Sequence, residues 1–359
     1  MAKSSLEVSL KRLFSQLFFV LIFLLLASYF VAMLLGPLVF FSTADGLAAS
    51  RRVIQRLPIV IFGVDTGINV NISVGLFFLS LWFVFLVCFI IASVVREDFF
   101  VSLEKFNKGS VVAAFRNYLL FMPLVASFSF VSALVIELFL EGVGVPVDAP
   151  PVSGDGSSEF RAFMRFLSIS YAPVIEEIGF RIIPIGVFLV FYLSVLRKQA
   201  MMRQVNRCSW KALVVAPFFP DKAKRDCGLK TVDEFGVRGG ISYAEWVMIV
   251  IAAFVFGFAH FPLSYWGPGK FVSATVIGLV LGVVYLAYGF VAPVLLHWFF
   301  NYYFNVFYLA YNYYSQLPFL IFAVEYVNIL LGLLAWFAIF YVVVRRLRRK
   351  RESEAVNVV

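Results

Sequence analysis

Long apolar runs separated by short polar stretches dominate this chain. Eight runs reach membrane-spanning length, at about residues 13–35, 74–95, 117–140, 166–196, 245–262, 272–289, 291–312 and 319–343. About 20 residues rising 1.5 Å each cross the ~30 Å hydrocarbon core of a bilayer. The pattern predicts an all-α, polytopic helical membrane protein with about eight transmembrane helices. One membrane domain then covers residues 1–359. A membrane β-barrel would instead show alternating segments of roughly 10 residues. The first run exceeds the ~7–15 apolar residues of a signal peptide, and no small-residue cleavage site clearly follows it. Residues 48–63 place Arg51, Arg52 and Arg56 beside an apolar stretch, which predicts an interfacial helix. Residues 63–73, with their Gly and Asn, read as loop.

Composition agrees with this picture. Hydrophobic residues make up 62% of the chain and charged ones 14%, where a soluble domain carries about 25% charged residues. The 44 Phe suit lipid-facing surfaces. A net charge of +9 raises nucleic acid as a partner, but the basic residues fall in the connections between apolar runs. They are therefore read as topology determinants, with the lipid bilayer as partner and no nucleic acid. With eight spans, 23 Lys and Arg fall on the side of both termini, against six on the other: Arg51, Arg52, Arg56, Arg161, Arg165 and Lys270. The positive-inside rule places both termini in the cytoplasm. The segment 142–159, free of Lys and Arg, then faces outward. The basic connection 197–240 and the tail 345–359 are cytosolic, and the former can meet anionic headgroups. Cys88, Cys208 and Cys227 form no disulfide framework and no zinc ribbon, so a reduced cytosolic loop is expected.

Candidate chemistry lies inside the apolar runs. Glu176, Glu177 and Arg181 fall within six residues of the fourth run. Each costs roughly 2.5–3.5 kcal/mol at the bilayer centre, so such groups face a polar cavity and find partners. Glu177 and Arg181 are four apart and share a helix face. Glu176 points about 100° away and is left without that partner, as a general base requires. Pro173 and Pro184 flank the motif and can kink the helix; Gly179 permits close helix approach. The only two histidines, His260 and His297, also lie in apolar runs. His297 shares a face with Asn301, and Asn305 extends it; Pro293 lies one turn before His297. For Asn305 an interhelical hydrogen bond is the expected role. One carboxylate, two imidazoles and an amide suffice for hydrolysis: a base for water, a His to orient it or pass a proton, and donors for an oxyanion.

These residues form three spaced motifs: Glu176-Glu177-x-x-x-Arg181, Phe256-x-x-x-His260 and His297-x-x-x-Asn301. In this order they resemble the CAAX prenyl protease and bacteriocin-processing (CPBP, or Abi) intramembrane proteases. The resemblance covers about residues 160–310, the expected catalytic core. It implies an intramembrane endopeptidase hydrolysing a peptide bond in a membrane-anchored protein or peptide, prenylated CAAX-type proteins among them. It implies that Glu176 and His260 activate water and that His297 and Asn301 form the oxyanion hole. Glu177, Arg181 and Phe256 are then supporting residues. The connection 197–240 is longer than in compact members. The family has also been labelled metalloendopeptidase.

No cofactor is expected. The alternative is zinc at Glu176, His260 and His297, since two His and a Glu leave an open water position. The HExxH spacing of zinc proteases is absent. Depth poses a difficulty. His260 sits about 22 Å from the start of its run and His297 only about 9 Å from the start of its own. An early start of the fifth helix, or a re-entrant segment over 261–271, would let them meet. Two other readings use the same residues, a transporter or proton relay and a non-catalytic membrane adaptor. The paired discontinuous repeats of many transporters are not seen, and an adaptor needs no buried base.

Overall fold

The computed structural model describes residues 2–61, 64–147, 158–202, 208–261, 266–314 and 318–356. The chain opens with α1 (Ala2–Ser42) and α2 (Ala44–Ser50). Four short strands follow: β1 (Val53–Leu57), β2 (Val60–Ile61), β3 (Val64–Asp65) and β4 (Ile68–Ser73). Next come α3 (Val74–Val94), α4 (Phe99–Asn107), α5 (Val111–Ala114), α6 (Tyr118–Gly142) and α7 (Ser158–Glu177). A π-helical segment, π1 (Ile178–Gly186), joins α7 to α8 (Val187–Met202). Three small helices, α9 (Trp210–Val215), α10 (Pro220–Asp226) and α11 (Val232–Gly240), form a lobe before α12 (Tyr243–His260) and α13 (Gly269–Tyr288). The chain closes with α14 (Val291–Trp298), π2 (Phe299–Tyr303), α15 (Phe304–Tyr311) and α16 (Pro318–Val356).

Among the described residues, seven helices are long and apolar enough to cross a membrane. Their large exposed side chains, including Phe30, Phe83, Phe139, Phe191 and Phe337, form the lipid-facing rim. The eighth predicted crossing is the helical run α14–π2–α15. His297, Asn301 and Asn305 dilute its apolar character, yet all eight residues of α14 are buried. A helix enclosed by other helices needs no lipid-facing stripe. Against it pack α3, α6 and α7, while α12 lies along α13. That pair is close because Gly257 has no side chain: a Cβ there would stand 2.0 Å from Thr275 Oγ1.

Two expectations are corrected here. Residues 48–63 are not an interfacial helix, and 63–73 are not loop. After Ser50 the chain turns into an antiparallel hairpin, pairing Val53 with Ser73, Ile54 with Ile72, Arg56 with Asn69 and Leu57 with Ile68. Val53 and Ile54 favour strand, Pro58 stops a helix, and Ile68-Asn69-Val70-Asn71-Ile72 alternates with period two. The arginines beside apolar residues disguised this. Phe62 and Gly63 lie outside the described residues. The strand β2 packs against π1 and α7. Parts of the outward segment 142–159, the connection 197–240, the re-entrant segment 261–271 and the tail 345–359 also lie outside them.

The third correction concerns the lobe. Cys208 and Cys227 are bonded to each other, where two free thiols were expected. The bond closes over a small core in which Leu189 and Leu193 of α8 meet Ala212, Ala216 and Ala223. This core folds α9 and α10 back and brings together cysteines 19 residues apart in sequence. The lobe also caps the α13–α14 turn. Tyr285 Oη donates to Pro217 O at 2.6 Å. Gly289, at φ 87°, lets Phe290 N–H reach Phe218 O at 2.8 Å.

Candidate active site

Three helical runs meet at the centre of the bundle, and two of them change hydrogen-bond register there. In the first, α7 ends at Glu177 and π1 begins at Ile178. Pro184 explains the change: its ring excludes the carbonyl four residues back, and it has no N–H to donate. The ladder widens, so that Val187 N–H bonds Ile182 O, five residues back. In the second, π2 begins two residues after His297 and contains Asn301. Asn305 Nδ2 donates to Asn301 O at 2.9 Å, binding a carbonyl in the widened turn. Single π turns inside α-helices are frequent at functional sites. Both turns lie where candidate residues cluster.

Glu177 and Arg181 are fully buried, and Arg181 Nε stands 3.1 Å from Glu177 Oε2. The contact is an ion pair by distance without an aligned hydrogen bond, since both atoms lack a hydrogen-bond partner. Arg181 Nη2 donates to Gly278 O at 3.4 Å, and its guanidinium lies 4.6 Å from the centre of the Phe256 ring. The arginine thus ties π1 to both α12 and α13. The other Glu177 oxygen, Oε1, is 2.8 Å from His297 Nδ1. A carboxylate there holds the proton on Nδ1 and fixes the ring plane. His297 Nε2 then faces Glu176 Oε2 at 3.8 Å. Glu176 is the partly open member, with a side chain 22% exposed against 6% for His297. Glu176 Oε2 has no hydrogen-bond partner. Tyr118, whose Oη donates to Ala292 O at 2.7 Å, fastens α6 to α14 one turn before His297.

His260 joins this group through Phe256. Its Nδ1 donates to Phe256 O at 2.8 Å, leaving Nε2 as the free nitrogen. The Phe256 ring lies edge-on to both imidazoles, with centroids 4.6 Å from His260 and 5.8 Å from His297. Glu176, Glu177, Arg181, Phe256 and His297 are therefore brought into direct contact. His260 stands one helical turn further along α12. Asn301 lies half-buried one turn beyond His297.

The depth difficulty is eased at the other end of α12. Its first turn lies in the lobe, where Glu245 is 1% exposed and paired with Lys224 of α10 at 2.8 Å. Ser242 and Glu245 also form a reciprocal cap. The Ser242-x-x-Glu245 spacing was readable as a helix start; the buried lysine partner was not. Side chains on a helix lean toward its N-terminus. Phe256 and His260 therefore lean back toward His297.

A zinc site needs three donors around one point. Both imidazoles have Nδ1 engaged and Nε2 free, as metal ligands do. Among the described residues, however, no group of three His, Cys, Asp or Glu side chains is placed to hold a metal ion. The residues as arranged do not fit zinc, and no step is derived through it.

Residues 158–303, less than half of the chain, match the Rce1-like family, described as type II CAAX prenyl endopeptidase Rce1-like. The matched segment contains all three motifs, both π segments and the lobe. No curated protein and no solved structure matches the chain significantly.

Proposed function

From the match of residues 158–303 to the Rce1-like type II CAAX prenyl endopeptidases, we propose that this chain belongs to them and is a glutamate-dependent intramembrane endopeptidase. One observation carries the reading: Glu176 Oε2 and His297 Nε2 oppose each other at 3.8 Å on a buried Glu177–Arg181 anchor. That separation is too long for a direct hydrogen bond and leaves both groups within reach of one oxygen between them.

Two imidazoles with the same tautomer take different parts because their Nδ1 partners differ. His260 donates to a neutral carbonyl, so its Nε2 accepts a hydrogen bond from the attacking water. His297 donates to a carboxylate. Glu177 holds the His297 ring so that Nε2 points toward the Glu176 side of the site. When protonated there, the ring offers Nε2–H as a donor aimed at the developing oxyanion, with the Asn301 amide as the second donor. Glu176 takes a proton from water as hydroxide adds to the peptide carbonyl. The tetrahedral intermediate then breaks its C–N bond, and Glu176 returns the proton to the leaving amine. The products are a carboxylic acid and an amine, which exchange a proton to leave as carboxylate and ammonium, with no net change in the enzyme. The proposed substrate is a membrane-anchored protein or peptide ending in a prenylated CAAX sequence.

Both termini and the lobe are placed on the cytoplasmic side. Charge bias acts on insertion itself, whereas a disulfide reports the redox poise around the lobe, and some intracellular proteins are rich in them. A tag on the C-terminal tail should be protected from protease in intact cells and cleaved in opened ones. Cleavage in intact cells would reverse the placement.

The decisive experiment measures cleavage of a prenylated CAAX peptide by purified protein in proteoliposomes. Glu176→Gln and His260→Ala should each lower kcat by about 10²–10⁴-fold, the usual worth of a positioned acid or base. The melting temperature should stay close to wild type. Full activity in either variant rejects the assignment.

A further inference from the structure

A cavity of about 340 Å³ lies under the lobe, away from the reacting groups. It is framed by the end of α3, by α10 and by the α13–α14 turn; Arg96, Lys222 and Arg225 line it together with Asp221 and Asp226, beside Val95, Phe219 and Tyr288. Its depth in the bilayer follows from the helices that end there. The apolar span of α3 stops at Val94 and that of α13 at Tyr288. The cavity therefore sits where hydrocarbon gives way to headgroups, the level at which Tyr, Lys and Arg gather.

Its walls combine apolar and aromatic groups with three cations and two carboxylates, an excess of one positive charge. Arg96 is the only non-glycine residue with positive φ among the described residues, at 63°. That conformation is costly for a side chain with a Cβ, and it carries the guanidinium inward, 4.5 Å from the centre of the Tyr288 ring. Arg96 Nη2 binds Asp221 at 2.6 Å, and the side chain is 11% exposed. Its buried Nε has no hydrogen-bond partner.

The carboxylates nearby are largely spent. Asp221 also accepts Val232 N–H at 2.6 Å and Asp233 N–H at 3.0 Å. Asp233 is shared by Arg116 and Arg225 at 2.7 Å each, and Glu234 stands 3.9 Å from Arg225. Asp226 is exposed at the rim. Lys222, also exposed, has no ion pair among the described residues.

We propose that this cavity binds the phosphate of a membrane phospholipid headgroup. Lys222 and Arg225 take the phosphate oxygens, as basic pockets between spans do elsewhere, with the buried Arg96 guanidinium behind them adding positive charge. Val95, Phe219 and the Tyr288 ring receive the glycerol and the first acyl carbons. The volume falls at the lower end of small-ligand sites, enough for a headgroup but not for a whole lipid, whose chains extend into the bilayer. Gly289, at the edge of this cavity, leads through Phe290 into the helix bearing His297. The proposal does not depend on the hydrolase reading, because binding is its readout.

The test uses the purified full chain in neutral detergent. Short-chain phosphatidylglycerol, diacylglycerol and inorganic phosphate are titrated separately while the melting temperature and lipid adducts in native mass spectrometry are followed. Phosphatidylglycerol should raise the melting temperature and leave one bound lipid, and diacylglycerol should not. Lys222→Gln/Arg225→Gln, which also breaks the Arg225–Asp233 pair, should lower the unliganded melting temperature slightly and weaken phosphatidylglycerol binding at least tenfold. Lys222→Gln alone, which breaks no ion pair, should weaken it by a smaller factor and serves if the double variant folds poorly. Equal binding of diacylglycerol, or unchanged affinity in Lys222→Gln and in a folded double variant, overturns the proposal. An equal shift with inorganic phosphate alone overturns the lipid as its source.

Discussion

The lobe and the bundle centre each bury charge, but they do so differently. In the lobe the carboxylates are closed off by many donors. Asp221 accepts from Arg96 and from two backbone N–H groups. Glu245 Oε2 accepts from Lys224 and from Ser242 N–H. At the bundle centre the charges are held but not saturated: Glu176 Oε2, Glu177 Oε2 and Arg181 Nε and Nη1 have no hydrogen-bond partner. A saturated buried network rigidifies, and an unsaturated one is costly to keep. The contrast locates chemistry better than burial does, because both regions bury charged groups. The lobe also leaves single atoms open, Glu245 Oε1 and Arg96 Nε, but not a facing pair of ionisable groups.

The contrast can be broken by removing one charge from each network. The largest effect is expected for Arg181→Met, which leaves Glu177 buried without its cation. Breaking such a pair costs about 3–5 kcal/mol, and cleavage should vanish. Glu177→Gln/Arg181→Met should recover most of the stability in thermal unfolding but not the activity, because Glu177 also orients His297. Recovered activity would show that the central network is merely structural. In the lobe, Lys224→Met should cost a comparable ~3–5 kcal/mol. There, Lys224→Met/Glu245→Leu should restore both stability and cleavage per folded molecule. Failure to restore cleavage would erase the distinction between the regions.

The smaller effects sharpen the comparison. Cys208→Ser/Cys227→Ser removes a cross-link whose loss costs about 3 kcal/mol for a loop of this size. The melting temperature should fall while cleavage well below it stays near wild type. A loss of kcat at low temperature would mean that the lobe positions His297 through Phe290 more tightly than proposed. A metal chelator should change neither property. Reversible loss of cleavage, restored by zinc, would move Glu176, His260 and His297 to a metal mechanism and show that the central groups rearrange on binding it.

Much of this architecture could be read from the chain, and the exceptions share a cause. Helical crossings were legible because lipid demands long apolar runs with all backbone groups bonded internally. The Glu177–Arg181 contact was legible because residues four apart on a helix are neighbours. The hairpin was missed although Ile68, Val70 and Ile72 alternate with asparagines, because its first strand combines arginines with apolar residues in a way that also suits an interfacial helix. The π segments were only hinted at, by Pro184 near the first and Pro293 before the second. The Cys208–Cys227 bond depends on how α9 and α10 fold back, which spacing does not encode.

By itself, the sequence determined that the chain crosses a bilayer repeatedly and which ionisable groups are placed there at a cost. Both follow from local rules, segment length against bilayer thickness and the expense of charge in hydrocarbon. Only the tertiary structure decided that Glu177 serves His297 as well as Arg181, that Phe256 bridges two imidazoles, and that a cross-linked lobe holds the turn leading into α14. Those relations join residues far apart in the chain, and they exist only once packing has chosen which helix faces meet.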